Sequence, residues 1–154
     1  MLSENPIHPP ERRARSQQEI KHLVESRTEA LTLYSELATL RPFEQHDEVA
    51  PLLQRFCASL VDYTAGAHFQ LYRHIDEQRE RRAGVLAVAA EIYPIIDAST
   101  RLILDFNDKY DCGDHCSHLG DLTEDLSQLG ERLADRIEME DRLIAALLAP
   151  RIAH

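Results

Sequence analysis

The chain has 154 residues, enough for one domain with a sizeable core, and its 44% hydrophobic content excludes a disordered chain. A formal net charge of −10, from 27 acids against 17 Lys plus Arg, argues against direct nucleic-acid binding and favours a basic partner surface. Three cysteines do not build a disulfide framework, no apolar run approaches a membrane span and the first residues lack the apolar core of a signal peptide, so a cytoplasmic protein away from membranes is expected.

Residues 1–15, with Pro6, Pro9 and Pro10 and no periodicity, read as a loose tail, and Arg12, Arg13 and Arg15 as a solvated helix entrance. The first predicted helix runs from about Ser16 to Thr39, with Ile20, Val24, Arg27, Leu31, Tyr34 and Leu37 on one line. It stops at Arg41-Pro42, because proline disfavours helix in the residue before it. The second predicted helix starts near Asp47, a candidate N-cap, and reaches about Arg79, where the polar run to Gly84 breaks it. The third uses Val88, Ile92, Ile96, Ser99, Ile103 and Phe106, with Pro94 expected to kink it or open a turn. Residues 111–118 read as a loop. The fourth has the cleanest period: Leu119, Leu122, Leu126, Leu129, Leu133, Ile137, Glu140, Ile144 and Leu147. Nothing reads as a strand or a repeat. The expected fold is therefore all-α: an antiparallel bundle of four long helices, with room for short extra helices, over residues 16–149, followed by a short tail at 150–154.

The most informative stretch is Phe56 to Tyr72. As a helix it places Leu53, Phe56, Cys57, Leu60, Thr64, Ala67, Leu71 and Ile75 on a core-facing stripe, and Asp62, Ala65, Gly66 and Phe69 on the opposite side. An acid and an aromatic separated by two tiny residues make a notch with a rim, and a helix with apolar residues on both sides needs a second partner: another helix of the fold or another protein. His68 and Tyr72 flank it, within reach of a network with Glu138 or Asp141 if the fourth helix is the neighbour.

Two charges interrupt the apolar seams, Arg27 on the first helix and Glu140 on the fourth. A lone buried ion costs several kcal/mol, so an Arg27–Glu140 ion pair inside or at the rim of the bundle is expected; the alternative is that each reaches water at a seam edge. A di-iron bundle needs two Glu-x-x-His motifs, and only Glu19–His22 is present, pointing off the seam. Cys112, His115, Cys116 and His118 supply four candidate zinc donors, but the ligands are too tightly spaced for a familiar structural site. Reduced, exposed thiols are the preferred reading, and no metal or cofactor is assigned. No phosphate loop, nucleophile elbow or catalytic triad is present, so an enzyme is not expected.

Together these segments resemble the Rsd/AlgQ family, regulators of the primary sigma factor. The likeness is densest from Phe56 to Tyr72, continues through Ala89–Asp97 and Asp105–Asp111, and returns at Arg136–Ile144 with its Glu138-Met-Glu140-Asp141 run. It departs where the family commonly carries a Trp and an acid near Leu23 and Lys21, and in Thr64-Ala-Gly-Ala-His68 where a shorter small-residue run is usual. The resemblance implies a helical bundle with anti-sigma activity, which binds the C-terminal promoter-reading domain of the primary sigma factor (its fourth region) and withholds it from core RNA polymerase, favouring alternative sigma factors in slow growth. It makes Asp62, Ala65, Gly66, His68, Phe69 and Tyr72, with Glu138 and Asp141, the candidate partner-binding residues. The other readings of the chain are a metal- or small-ligand-sensing bundle and a helical adaptor for another regulator. The oligomeric state stays open.

Overall fold

The computed structural model describes residues 9–72, 82–111 and 119–149. They form four long helices, α1 (Pro9–Ala38), α2 (Val49–Ala67), α3 (Ala83–Tyr110) and α4 (Leu122–Leu148), with single 3-10 turns at Phe43–Gln45 and Leu119–Asp121 and a π-helical turn at His68–Tyr72 that continues α2. The four pack antiparallel as expected, and no strand occurs among the described residues. The most extensive packing is α1 on α2 and α3 on α4; the α2–α3 and α1–α4 seams are smaller. The bundle is thus two tightly packed helical hairpins joined by looser edges.

Helix boundaries differ from expectation at three places. α1 begins at Pro9 rather than near Ser16, because prolines in a first helical turn remove N–H groups that have no intrahelical partner there. α2 begins at Val49, two residues after Asp47; Glu48 holds the N-cap position and makes no side-chain capping bond. α3 runs unbroken through Pro94, which lies on its exposed side. The expected end of the second helix at residues 73–79, including Ile75, lies outside the described residues.

The core collects Leu53, Phe56, Cys57, Leu60, Tyr63 and Ala67 of α2, Ile92, Ile96, Ile103 and Phe106 of α3, and Leu122, Leu126, Leu129 and Leu133 of α4. On α1 the buried line is Leu23, Ala30, Leu33 and Leu37, not the one through Ile20, Val24 and Leu31; Val24 is 36% exposed. Apolar residues occupy more than one side of this helix, so spacing alone permits two seams, and packing against α2 selects between them. At one point α1 and α4 approach so closely that any side chain at Gly130 would displace Tyr34: a Cβ there would collide with the Tyr34 hydroxyl and lie 2.9 Å from its Cζ. That hydroxyl donates to the Leu126 carbonyl at 2.8 Å.

By length and composition α3 is apolar enough to cross a membrane, contrary to the sequence expectation. Here its apolar residues from Val85 to Tyr110 form one face of the core, between α2 and α4.

Candidate partner-binding groove and its polar floor

The looser α2–α3 edge opens into a groove of about 470 Å³. One wall comes from successive turns of α2 and the π-turn: Val61, then Thr64 and Ala65, then His68 and Phe69. The other comes from successive turns of α3: Tyr93, Ile96 and Asp97, Thr100, and Ile103 with Leu104. The spacing of three and four residues on both helices is what aligns the two rows across a helical seam.

The π-turn shapes the upper end. A π-turn holds an extra residue relative to an α-turn, and here it leaves both Leu71 and Tyr72 buried while Phe69 projects outward, 61% exposed. The Phe69 ring stands edge-on to His68 at 5.3 Å between centroids. With Leu104 at 50% and Val61 at 37% exposure, Phe69 makes the groove rim a patch of large apolar side chains that a soluble surface does not ordinarily cluster.

Beneath the groove lies a buried polar cluster. Arg136 of α4 is 1% exposed and Glu140, one turn on, is 0% exposed. Arg136 Nε donates to Glu140 Oε2 and to the Tyr63 hydroxyl, each at 3.2 Å, and its Nη1 donates to Ser99 Oγ at 3.0 Å and Thr100 Oγ1 at 2.8 Å. The guanidinium also sits over the rings of Tyr63 and Tyr72, 5.4 and 5.9 Å from their centroids. Glu140 accepts from the Tyr63 hydroxyl and, at 3.0 Å, from the Tyr72 hydroxyl. Four helical segments therefore converge on one ion pair.

Burial acts against the Arg136 cation, yet the oxygens of Tyr63, Glu140 and Tyr72 more than offset it and hold its pKa above the ordinary arginine value. The Tyr63 and Tyr72 phenols are pushed well above the usual tyrosine range, first by burial and then by the neighbouring Glu140 charge. Buried Cys57 is pushed up to about 12, chiefly by burial, which makes it an inert thiol.

The structure places the anticipated residues as follows. Arg27 and Glu140 meet at 3.5 Å, but the closer partner of Arg27 is Asp141 at 2.9 Å, and the closer cation of Glu140 is Arg136. The Arg27 side chain is 12% exposed and closes the α1–α4 edge of the cluster. Burial opposes its charge as well; the hydrogen bond and charge of Asp141, with that of Glu140, raise its pKa overall. Asp62, Ala65, His68 and Phe69 are exposed on α2 and the π-turn, and Gly66 is half-buried. Tyr72 corrects the expectation of a rim residue: it is 5% exposed and turned inward to Glu140, because the wide turn carries it over the core. Its network runs to Glu140 rather than to Glu138 or Asp141. Those two residues are exposed on α4 and do not line the groove; Asp141 is held by Arg27 on the opposite edge of the bundle. Cys112, His115, Cys116 and His118 lie outside the described residues, and among the described residues no cluster of His, Cys, Asp or Glu could hold a metal ion.

Sequence reasoning missed Arg136, Tyr63 and the whole α3 wall. The signal for Arg136 was present, since Leu129, Leu133, Arg136, Glu140 and Leu143 follow a repeating four-three spacing and all are buried. The α3 wall carried no such signal, because which helices are neighbours is a tertiary fact.

Residues 1–148 match the family described as regulator of RNA polymerase sigma(70) subunit, Rsd/AlgQ. The chain belongs to the Rsd/AlgQ family. Relatives named Regulator of sigma D from Shigella dysenteriae serotype 1 and from Escherichia coli strains, K12 DH10B among them, are 40% identical over 105 residues. That match takes in 66% of this chain and 65% of each relative's length. No solved structure matches the chain at a significant level. The Rsd/AlgQ description is of a regulator and names no reaction.

Proposed function

We propose that this Rsd/AlgQ protein is a cytoplasmic anti-sigma factor that binds the C-terminal promoter-reading domain of the primary sigma factor, its fourth region, and withholds it from core RNA polymerase. The α2–α3 groove is the docking face in this reading, with Phe69 as the anchor and Asp62 as a partner for a basic side chain. The observation that carries it is Phe69: an aromatic side chain 61% exposed at the rim of a groove, in a family of sigma(70) regulators. Buried aromatic anchors supply most of the affinity at protein interfaces, surrounded by contacts that mainly exclude water.

The charge agrees with this partner. A domain that reads promoter DNA by helix-turn-helix presents Lys and Arg to phosphates. A chain of net charge −10 meets such a surface with complementary potential, which raises the association rate and fixes orientation. Regulation then follows by mass action: sigma held one-to-one by this protein is unavailable to polymerase and to promoter DNA.

The test is competition in a purified system. Adding the protein to primary sigma before core polymerase is expected to lower holoenzyme formation in proportion to its concentration, with Phe69→Ala much less effective. Undiminished holoenzyme formation with the wild-type protein in excess contradicts the proposal.

A further inference from the structure

The buried line of α2 advances in steps of three and four through Leu53, Phe56, Leu60, Tyr63 and Ala67 and then breaks step, since the next buried residues are Leu71 and Tyr72, four and five positions on. The step of five is the extra residue of the π-turn at His68–Tyr72. Such turns are rare because α-helical bonding is preferred, so contacts from outside the helix must hold this one. They converge on its last residue, Tyr72, which is 5% exposed. The Tyr72 hydroxyl donates to Glu140 Oε2 at 3.0 Å, its carbonyl accepts from the Tyr93 hydroxyl at 3.5 Å, and its ring stands edge-on to Tyr93 at 5.9 Å between centroids. The bond to Glu140 is the strong one, since its acceptor is charged and both groups are buried. Glu140 is in turn fixed within α4, where Arg136 Nε donates to the same oxygen at 3.2 Å.

We propose that Tyr72 is a positioning residue for the docking anchor: its hydroxyl, tied to Glu140, holds the π-turn that sets the direction in which Phe69 leaves the helix. Phe69 stands three residues before Tyr72 in the same turn, so a tie from Tyr72 to α4 fixes the backbone that carries the exposed ring. Without the hydroxyl the balance shifts toward ordinary α-helical bonding, and Phe69 meets the groove at another angle. Tyr63 separates this role from plain stabilisation. It donates to the other oxygen of the same carboxylate and is 1% exposed, yet it lies within α2 and outside the turn. The two phenols share an acceptor, and one of them holds the turn. The consequence for partner binding rests on the sigma-docking reading, whereas the hold on Phe69 does not.

The experiment compares Tyr72→Phe with Tyr63→Phe in the full chain. Each removes one hydroxyl and keeps the ring, so the urea midpoint should fall for both. In the free protein Tyr72→Phe should move the NMR resonances of the Phe69 ring and speed amide exchange at residues 69–72 roughly tenfold, the scale of a lost hydrogen bond to a charged group. Tyr63→Phe should leave both near wild type. In titrations with the isolated C-terminal domain of the primary sigma factor, Tyr72→Phe should raise Kd at least about threefold and Tyr63→Phe less than about twofold. Added to Phe69→Ala, Tyr72→Phe should cost nothing further, because no ring is left to position. Unchanged Phe69 resonances and exchange in Tyr72→Phe, or the same changes in Tyr63→Phe, would overturn the positioning role. A loss of affinity that adds in full to that of Phe69→Ala would overturn action through Phe69. A wild-type protein that binds no sigma domain would overturn the docking reading, while the free-protein spectra still decide the hold on Phe69.

Discussion

Replacing Glu140 by leucine is the perturbation that the buried cluster makes most informative. Glu140 is fully buried, balances an Arg136 that is itself 1% exposed, and accepts from the Tyr63 and Tyr72 hydroxyls. Its removal leaves a buried guanidinium without its counter-ion and two buried phenols without their acceptor. Breaking such a pair from one side costs about 3–5 kcal/mol, most of it the penalty of the charge left behind. In a chain of this size that lowers the melting temperature by roughly 6–20 °C. Arg136→Met should cost a similar amount, since it strands the carboxylate. The double variant Arg136→Met/Glu140→Leu removes both charges and should lose at least about 2 kcal/mol less than the two single losses added together. Arg27→Met should be much milder, because Arg27 keeps access to water and its nearer partner, Asp141, is 57% exposed. For the same reason Arg27→Met should not rescue Glu140→Leu: Arg136 remains stranded. Urea unfolding of the five variants (three single, two double) measures all of these terms. Losses for Arg136→Met and Glu140→Leu that add within about 0.5 kcal/mol would refute the coupling, as distant independent sites do.

Three further outcomes follow from other parts of the structure. Tyr63, Tyr72 and Tyr110 hold their phenols neutral in the folded state, chiefly through burial, with pKa raised above the unfolded value of about 10. Their stabilising contribution is complete below that value and is lost progressively as pH rises from it toward the raised folded-state values, so urea midpoints should be insensitive to these groups near neutrality and begin to fall above about pH 10; normal ionisation of all the tyrosines in the native protein, read by ultraviolet absorbance, would contradict this. Gly130→Ala should lower stability by about 1–2 kcal/mol although alanine is the better helix former, because its Cβ displaces the Tyr34 ring, and Tyr34→Leu should recover part of the loss. Affinity for the sigma domain should weaken as salt is raised from 50 to 300 mM, about the range over which screening becomes strong, with the change in the association rate; a salt-independent rate would remove electrostatic steering from the account.

The fold was largely legible because its strongest signal is periodic. On α2 and α4 one apolar stripe dominates, so Leu53, Phe56, Leu60 and Leu122 to Leu133 could be placed inward from spacing alone. On α1 Leu23 and Val24 are adjacent and equally apolar, and only the position of α2 decides that the first is buried. The exposed side of α2 was legible for a different reason: Phe69 breaks the rule that charged and long polar residues fill a solvated face. The groove itself was not, since it exists only where α2 and α3 meet, and the π-turn that exposes Phe69 while burying Tyr72 leaves no mark in residue spacing. Arg136 escaped because an arginine in a charged run reads as surface until the helix phase is set by its neighbours, and Arg27 drew the pairing to Glu140 that Arg136 makes more closely.

The most direct test of the central claim is calorimetric titration of the protein with the isolated C-terminal domain of its own primary sigma factor, wild type beside Phe69→Ala. Phe69 is largely exposed, so its truncation leaves the core intact and reports on the interface. The account predicts a one-to-one complex that the substitution weakens by at least about 1–2 kcal/mol, or roughly tenfold in Kd. Equal affinity in a folded Phe69→Ala protein would contradict the groove as the docking face, and the absence of any complex with the wild-type protein would contradict the anti-sigma reading itself.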